Sequence, residues 1–398
     1  MNVPLLDLQP QMKLFREEIL KEVTGVIDST RYILGPKVAS LEEEIADYCG
    51  TAQAVGVSSG TDALLVSLMA LGIGPGDLVL TTPFTFFATI GSIVRVGALP
   101  IFADVEKQSL NIDPAKMAEL LEDDRKGPGK IKAIMPVHLY GQCADMQQIN
   151  ALASEYDIPV LEDAAQAIGA ECPLISEDQT VGWHRAGGMS LAGCFSFFPS
   201  KNLGCIGDGG IVTTQDEDFA ARMRSVRNHG AEPKYFHSFI GGNFRLDPIQ
   251  ACVLSIKLPH LEDWHRQRRD NAAHYRELFR QHGLVDNPVI LPTAVYEDIQ
   301  GASEHNYHIY NQFVIQVPRR DALLKFLQQH SIGCEIYYPL CLHQQQCLQK
   351  YGYGELSFPL AELAASQVLA LPIYPELSRD QQAYVVETIA LFFNSSAG

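Results

Sequence analysis

Apolar residues in this chain recur in two alternating rhythms. In "KVASLEEEIADY", Val38, Leu41, Ile45 and Tyr48 fall at helical spacing, which predicts an amphipathic helix. After it, short apolar runs alternate with helical segments. "QAVGVSS" leads into "DALLVSLMAL", and "DLVLTT" leads into "FATIGSIVRVG". "KIKAIMPVHLYG" precedes a helix around 145–157, and "IPVLEDAAQ" follows it. "GCFSFF" and "GGIVTT" read as strands ahead of a helix near 216–228. This alternation predicts an α/β domain on a mainly parallel sheet. Ligands of such sheets gather beyond the carboxyl ends of the strands, where Ser59, Thr61, Thr85, Asp163 and Ser196 fall. A long, basic helical segment around 253–280 reads as a connector from this domain, residues 1–255, to a smaller α+β domain, residues 256–398. The second domain carries the strand "NQFVIQV" and the helix "RDALLKFLQQHSIG".

Composition narrows the function classes. With 398 residues, 46% of them hydrophobic, the chain has material for two domains and a large core. A net charge of -17 opposes nucleic acid or an anionic membrane as the main partner, although a local site can still be positive. No basic-then-apolar leader opens the sequence, and no apolar run approaches the ~20 residues that span a bilayer. Nine scattered cysteines without a C-x-x-C pair suit reduced thiols, so a cytoplasmic protein is expected. "CLHQQQC" offers Cys341, His343 and Cys347, but no second cluster at zinc spacing accompanies it, and no metal is expected.

Four stretches carry candidate chemistry. In "VSSGTDALLVS", Ser59, Gly60 and Thr61 lie where a strand meets a helix; free amides and hydroxyls there suit a phosphate, and plain N-capping suits the same residues. Asp163 ends the apolar strand of "IPVLEDAAQAIGA" and needs a cation or several donors if buried, or else caps the next helix or binds a metal. Its neighbour Glu162 should face the other side of the strand. Phe86 in "TTPFTFFATI" reads either as a core aromatic or as a plane for a flat ring. In "FSFFPSKNLGCIGDGG", Lys201 stands between aromatics and glycines. It is either a solvated turn lysine or an amine whose pKa desolvation lowers into the nucleophilic range. Neither a P-loop nor G-x-G-x-x-G is present. Taken together, a phosphate cradle, an aromatic plane, a carboxylate for a ring nitrogen and a lysine for an aldehyde match the parts of pyridoxal 5'-phosphate.

The stretches "YILGPKV", "SSGTDAL", "TPFTFFAT", "LYGQCAD", "EDAAQAIGA", "FSFFPSKNLGCIGDGG" and "GGNFRLDPIQA" closely resemble the DegT/DnrJ/StrS family of nucleotide-sugar aminotransferases, from about residue 3 to beyond 380. The resemblance implies fold type I of the pyridoxal-phosphate enzymes and a homodimer with active sites shared between subunits. It casts Lys201 as the Schiff-base lysine and proton shuttle, Asp163 as partner of the ring nitrogen, and Gln166 as neighbour of the ring hydroxyl. Phe86 would stack on the ring, while Gly60, Thr61 and Ser196 would hold the phosphate. Asn243 would reach the phosphate in the partner subunit, with Arg245 close by.

The implied reaction moves an amino group from glutamate to a nucleotide-linked keto-sugar, in a polysaccharide or antibiotic pathway. The motifs look most like members that aminate C3 of UDP-linked 3-keto-N-acetylhexosaminuronates or dTDP-linked 3-keto-6-deoxyhexoses. Arg245, Tyr235, His237 and Tyr338 are then substrate-side candidates. A 4-keto-sugar aminotransferase and a regulator that binds the cofactor without turnover are the alternatives. Two departures bear on the substrate. Tyr337-Tyr338-Pro339 stands where those relatives often read His-Tyr-Pro. The segment 172–193 is longer than usual and is expected near the cleft.

Overall fold

The computed structural model describes residues 1–127, 129–176, 178–231, 233 and 235–394. The chain opens with α1 (Gln9–Ser29) and α2 (Pro36–Cys49), followed by β1 (Gln53–Val57) and α3 (Gly60–Ala70). Next come β2 (Leu78–Thr81), α4 (Ala88–Arg95), β3 (Leu99–Phe102), α5 (Pro114–Lys126) and β4 (Ile131–Ile134). Helix α6 (Met146–Glu155) and strand β5 (Leu161–Asp163) precede a hairpin of β6 (Glu171–Ile175) and β7 (Val181–Arg185). Strands β8 (Ala192–Ser196) and β9 (Gly210–Thr214) lead to α7 (Glu217–Arg227), α8 (Pro248–Lys257) and α9 (Leu261–Gln281). The rest contains β10 (Phe313–Gln316), α10 (Arg320–Gln329), α11 (Pro359–Gln367), β11 (Val368–Leu371) and α12 (Arg379–Asn394). Among the described residues no helix is long and apolar enough to cross a membrane.

The main sheet has two parts, β3-β2-β4 and β5-β8-β9-β1, joined by parallel bridges Ile134↔Val160 and Val137↔Asp163. It is mainly parallel, as the alternation predicts; β9 alone among the seven runs antiparallel to both neighbours. Side chains alternate across the sheet and fill a core on each side. Leu80, Ile134, Phe195 and Ile211 face α2, α5, α6 and α8, whereas Val79, Ala133, Cys194 and Val212 face α3 and α7. Burial on both faces explains why the strands read as near-continuous apolar runs. A further cluster gathers Tyr275 and Phe279 of α9, Phe313 and Ile315 of β10, Leu369 and Leu371 of β11, and Ile389 of α12. Val3 belongs to this cluster, through a parallel bridge to Ile332.

The connector differs from one continuous helix. Helix α8 stops at Lys257, a short 3-10 turn spans Leu258–His260, and α9 begins at Leu261. Pro259 accounts for the break, since its ring removes an amide donor and crowds the preceding turn. The segment 172–193 also departs from expectation, because none of its described residues lines the main cleft. Its hairpin is fastened elsewhere. Trp183 stacks on His305 with ring centres 4.7 Å apart, and Arg185 pairs with Glu262 at 3.0 Å.

Strand β5 has two polar residues with opposite roles. Glu162 is fully buried and accepts hydrogen bonds from the Gly187 amide (2.6 Å), the Met189 amide (3.0 Å) and the Ser190 hydroxyl (2.9 Å). His138 takes the Ala144 amide on Nδ1 (3.1 Å), so its Nε2 donates to Glu162 at 2.9 Å. Glu162 is therefore a structural brace, as strand alternation anticipates. Removing it strands four donors in the interior. Glu162→Ala should lower the unfolding free energy by about 3–5 kcal/mol, measured by urea denaturation, and Glu162→Gln should cost less.

Candidate active site

A cavity of ≈ 450 Å³ lies at the carboxyl ends of β5 and β8 and the start of α3. Gly60, Thr61, Phe86, Asp163, Gln166, Ser196, Lys201 and Tyr338, all singled out in the sequence, line it together. Asn243, Arg245, Tyr235 and His237 do not. Asn243 and Arg245 form isolated bridges to Asn228 and Val57, and Arg245 donates to Asn228 Oδ1 at 2.8 Å. Tyr235 is 79% exposed, and the exposed His237 ring lies 2.9 Å from the His229 carbonyl oxygen.

The phosphate-type cradle follows from local packing. Ser59 caps α3 by accepting the Asp62 amide at 3.1 Å, which leaves the Gly60 and Thr61 amides directed past the helix start. Capping and anion binding are therefore compatible here. Gly60 is required by a close approach, since a Cβ there would lie 2.5 Å from the Ser196 Cβ. That approach brings the Ser196 end of β8 onto the first turn of α3.

Asp163 is 4% exposed. Its Oδ2 accepts from Thr89 at 2.8 Å and its Oδ1 from the Ala165 amide at 3.3 Å. Burial raises its pKa, while those donors and the Lys201 charge oppose the rise. Across the cavity, burial lowers the Lys201 pKa to about 8, with Asp163 pulling the other way. No hydrogen bond to Lys201 Nζ occurs among the described residues. The amine is thus half-buried, unpartnered and weakly basic, and the solvated-turn reading fails.

Residues 337–338 also line the cavity. Gln166 accepts the Tyr140 amide on Oε1 (2.6 Å), which turns its Nε2 toward the Tyr338 hydroxyl at 3.0 Å. The Tyr140 hydroxyl bonds to the Tyr337 carbonyl. Phe86 is 57% exposed, with its ring 6.1 Å from that of Tyr338. Sequence reasoning missed Thr89, Tyr140, Tyr337 and Asp208 as site residues. Only Thr89 left a readable signal, one helical turn after Thr85.

A weakly basic lysine facing a buried carboxylate, at the strand ends of an α/β/α sandwich, defines an enzyme that works on carbonyl carbon through an amine. The chain belongs to the DegT/DnrJ/EryC1/StrS aminotransferase family, whose model matches residues 13–390. Its fold is fold type I, as expected. It is similar to a "pleiotropic regulatory protein" of Geobacillus stearothermophilus, 44% identical over 100% of both chains. It is also similar to a UDP-N-acetyl-3-dehydro-α-D-glucosamine 3-aminotransferase of Acidithiobacillus ferrooxidans, 40% identical over 97% of each. The crystal structure of S. venezuelae DesV in complex with a ketimine intermediate matches with a TM-score of 0.87 and 36% identity, covering 98% of both chains.

The Lys201–Asp163 arrangement has a direct readout. In cofactor-free protein, labelling of Lys201 by a small acylating reagent, followed by peptide mass spectrometry, should be half-complete near pH of about 8. Asp163→Asn should move that midpoint lower, because the carboxylate no longer favours the ammonium form. A midpoint near the usual lysine value would contradict the desolvated geometry.

Proposed function

We propose that this protein transfers an amino group from glutamate to C3 of a nucleotide-linked 3-keto sugar, with pyridoxal 5'-phosphate held in the cavity. The observation that carries the reading is the unpartnered Lys201 amine, with its pKa lowered to about 8, opposite Asp163. Bound there, the cofactor would supply an electron sink and an amino-group carrier.

The chain's own residues divide the remaining work. The amides of Gly60 and Thr61, at the positive end of α3, together with Ser196, would hold the phosphate. Phe86 would cover one face of the ring, and Gln166 would neighbour its hydroxyl. Asp163, which accepts hydrogen bonds from Thr89 and the Ala165 amide, would keep the ring nitrogen protonated. Lys201, with an appreciable uncharged fraction near neutral pH, would take a proton from the donor's α-carbon and return it. Tyr338, which lines the same cavity, would face the substrate.

The C3 reading is supported by the activity of the 40% identical relative. The regulatory name of the 44% identical relative keeps the non-catalytic alternative in view, but Lys201, Asp163 and the Gly60–Thr61 turn lining one cavity support the catalytic reading. Asn243, Arg245, Tyr235 and His237 lie outside the cavity of one chain, consistent with service to a partner's site in a homodimer. The exposed Phe236 and Ile240 beside them suit such a contact. We also place a domain boundary near residue 255, with α9 tying the two cores.

The test is incubation with glutamate and a panel of UDP- and dTDP-linked 3-keto and 4-keto sugars, following which sugar gains an amine. Amination at C3 is expected, and Lys201→Ala should reduce it by about 10³-fold or more. Amination confined to C4 would overturn the substrate assignment. A wild-type protein that consumes no donor would favour the regulator.

A further inference from the structure

Lys257, the last residue of α8, is 5% exposed, and no carboxylate pairs with it among the described residues. Its Nζ donates to the Gly204 carbonyl at 2.6 Å. An ammonium is costly to bury with so little compensation. That cost is spent on one carbonyl, three residues beyond Lys201.

The carbonyl belongs to a turn that closes on itself. The Lys201 amide donates to the Phe198 carbonyl (2.8 Å), and the Cys205 amide donates to the Phe197 carbonyl (2.9 Å). The Cys205 thiol reaches the same Phe197 carbonyl at 2.8 Å, and a Cβ on Gly204 would collide with the Pro199 carbonyl. Helix α8 grips this turn at a second point, where Gln250 accepts the Ile206 amide at 2.9 Å. Gln250 and Lys257 are seven residues apart, hence on one helix face. From the other side, Asn202 is held by the Ile309 carbonyl (3.1 Å) and by the Asn311 amide group (2.9 Å).

We propose that Lys257 is a positioning residue for Lys201: its charge-assisted bond to the Gly204 carbonyl pins the turn so that the Lys201 amine stays in the dry cavity facing Asp163. A hydrogen bond from a charged donor is stronger than a neutral one, which explains an ammonium here rather than a second amide. The inference rests on the reading of Lys201 as the reactive amine.

The test compares Lys257→Met, which removes the donor, with Lys257→Gln, which keeps a neutral one. Both are assayed at a temperature where circular dichroism shows them folded. In cofactor-free protein, Lys257→Met should raise the pH midpoint of Lys201 labelling from about 8 toward the ordinary 10.5, as water reaches the loosened turn. Lys257→Gln should restore most of the shift. With the cofactor added, kcat in Lys257→Met should fall by about 10-fold or more with KM for glutamate little changed. An unchanged midpoint in Lys257→Met overturns the proposal, as does an equal rise in both variants. If the midpoint rises in Lys257→Met and is restored in Lys257→Gln while the wild-type protein turns over no sugar, the positioning role is supported and the transaminase reading falls, because labelling needs neither cofactor nor substrate.

Discussion

A lysine amine kept short of water, across a gap from a buried carboxylate, sets the terms for the rest of this structure. Desolvation disfavours the ammonium form of Lys201 and the carboxylate form of Asp163 alike, while their mutual attraction favours both. The balance leaves the amine less basic than usual, while burial raises the acid's pKa against its donors and the lysine charge. Everything around the cavity serves that balance. The Thr89 hydroxyl and the Ala165 amide stabilise the carboxylate, and the closed turn between Phe197 and Cys205 holds the amine in place.

Strand β5 shows how one backbone serves structure and chemistry at adjacent positions. Glu162 has four donors for its two oxygens and no capacity left for a ligand. Asp163, one residue on and facing the opposite side, receives only two. The unused capacity of Asp163 points into the cavity, and the saturated Glu162 fixes the strand that carries it. The far wall is held just as firmly. Gln166 bridges the Tyr140 amide and the Tyr338 hydroxyl, so a residue beside β5 sets the position of a residue more than 170 places later in the chain.

Much of this was legible in the sequence because it is local. Alternating rhythms of apolar residues give strands and helices directly, and strand ends mark where polar residues collect. Gly60, Thr61, Asp163 and Ser196 stand at such ends. Lys201 was legible as a lysine among aromatics and glycines. The hairpin of residues 171–185 was not placed correctly, since its docking on Glu262 and His305 depends on partners about eighty to a hundred and thirty residues away. The break in the 253–280 helix was written in Pro259, and the basic amphipathic pattern on either side concealed it.

What the chain by itself determined is the order of its elements, the alternation that gives the sheet two buried faces, and the residue types needed for amine chemistry. These depend on neighbours within a few positions, so spacing encodes them. Only the tertiary structure decided that the Lys201 amine is half-buried and unpartnered, that Thr89 and the Ala165 amide hold Asp163 in the same cavity, and that Lys257 reaches the turn that carries Lys201. Desolvation is a property of everything that surrounds a group, and those surroundings are assembled from parts of the chain hundreds of residues apart.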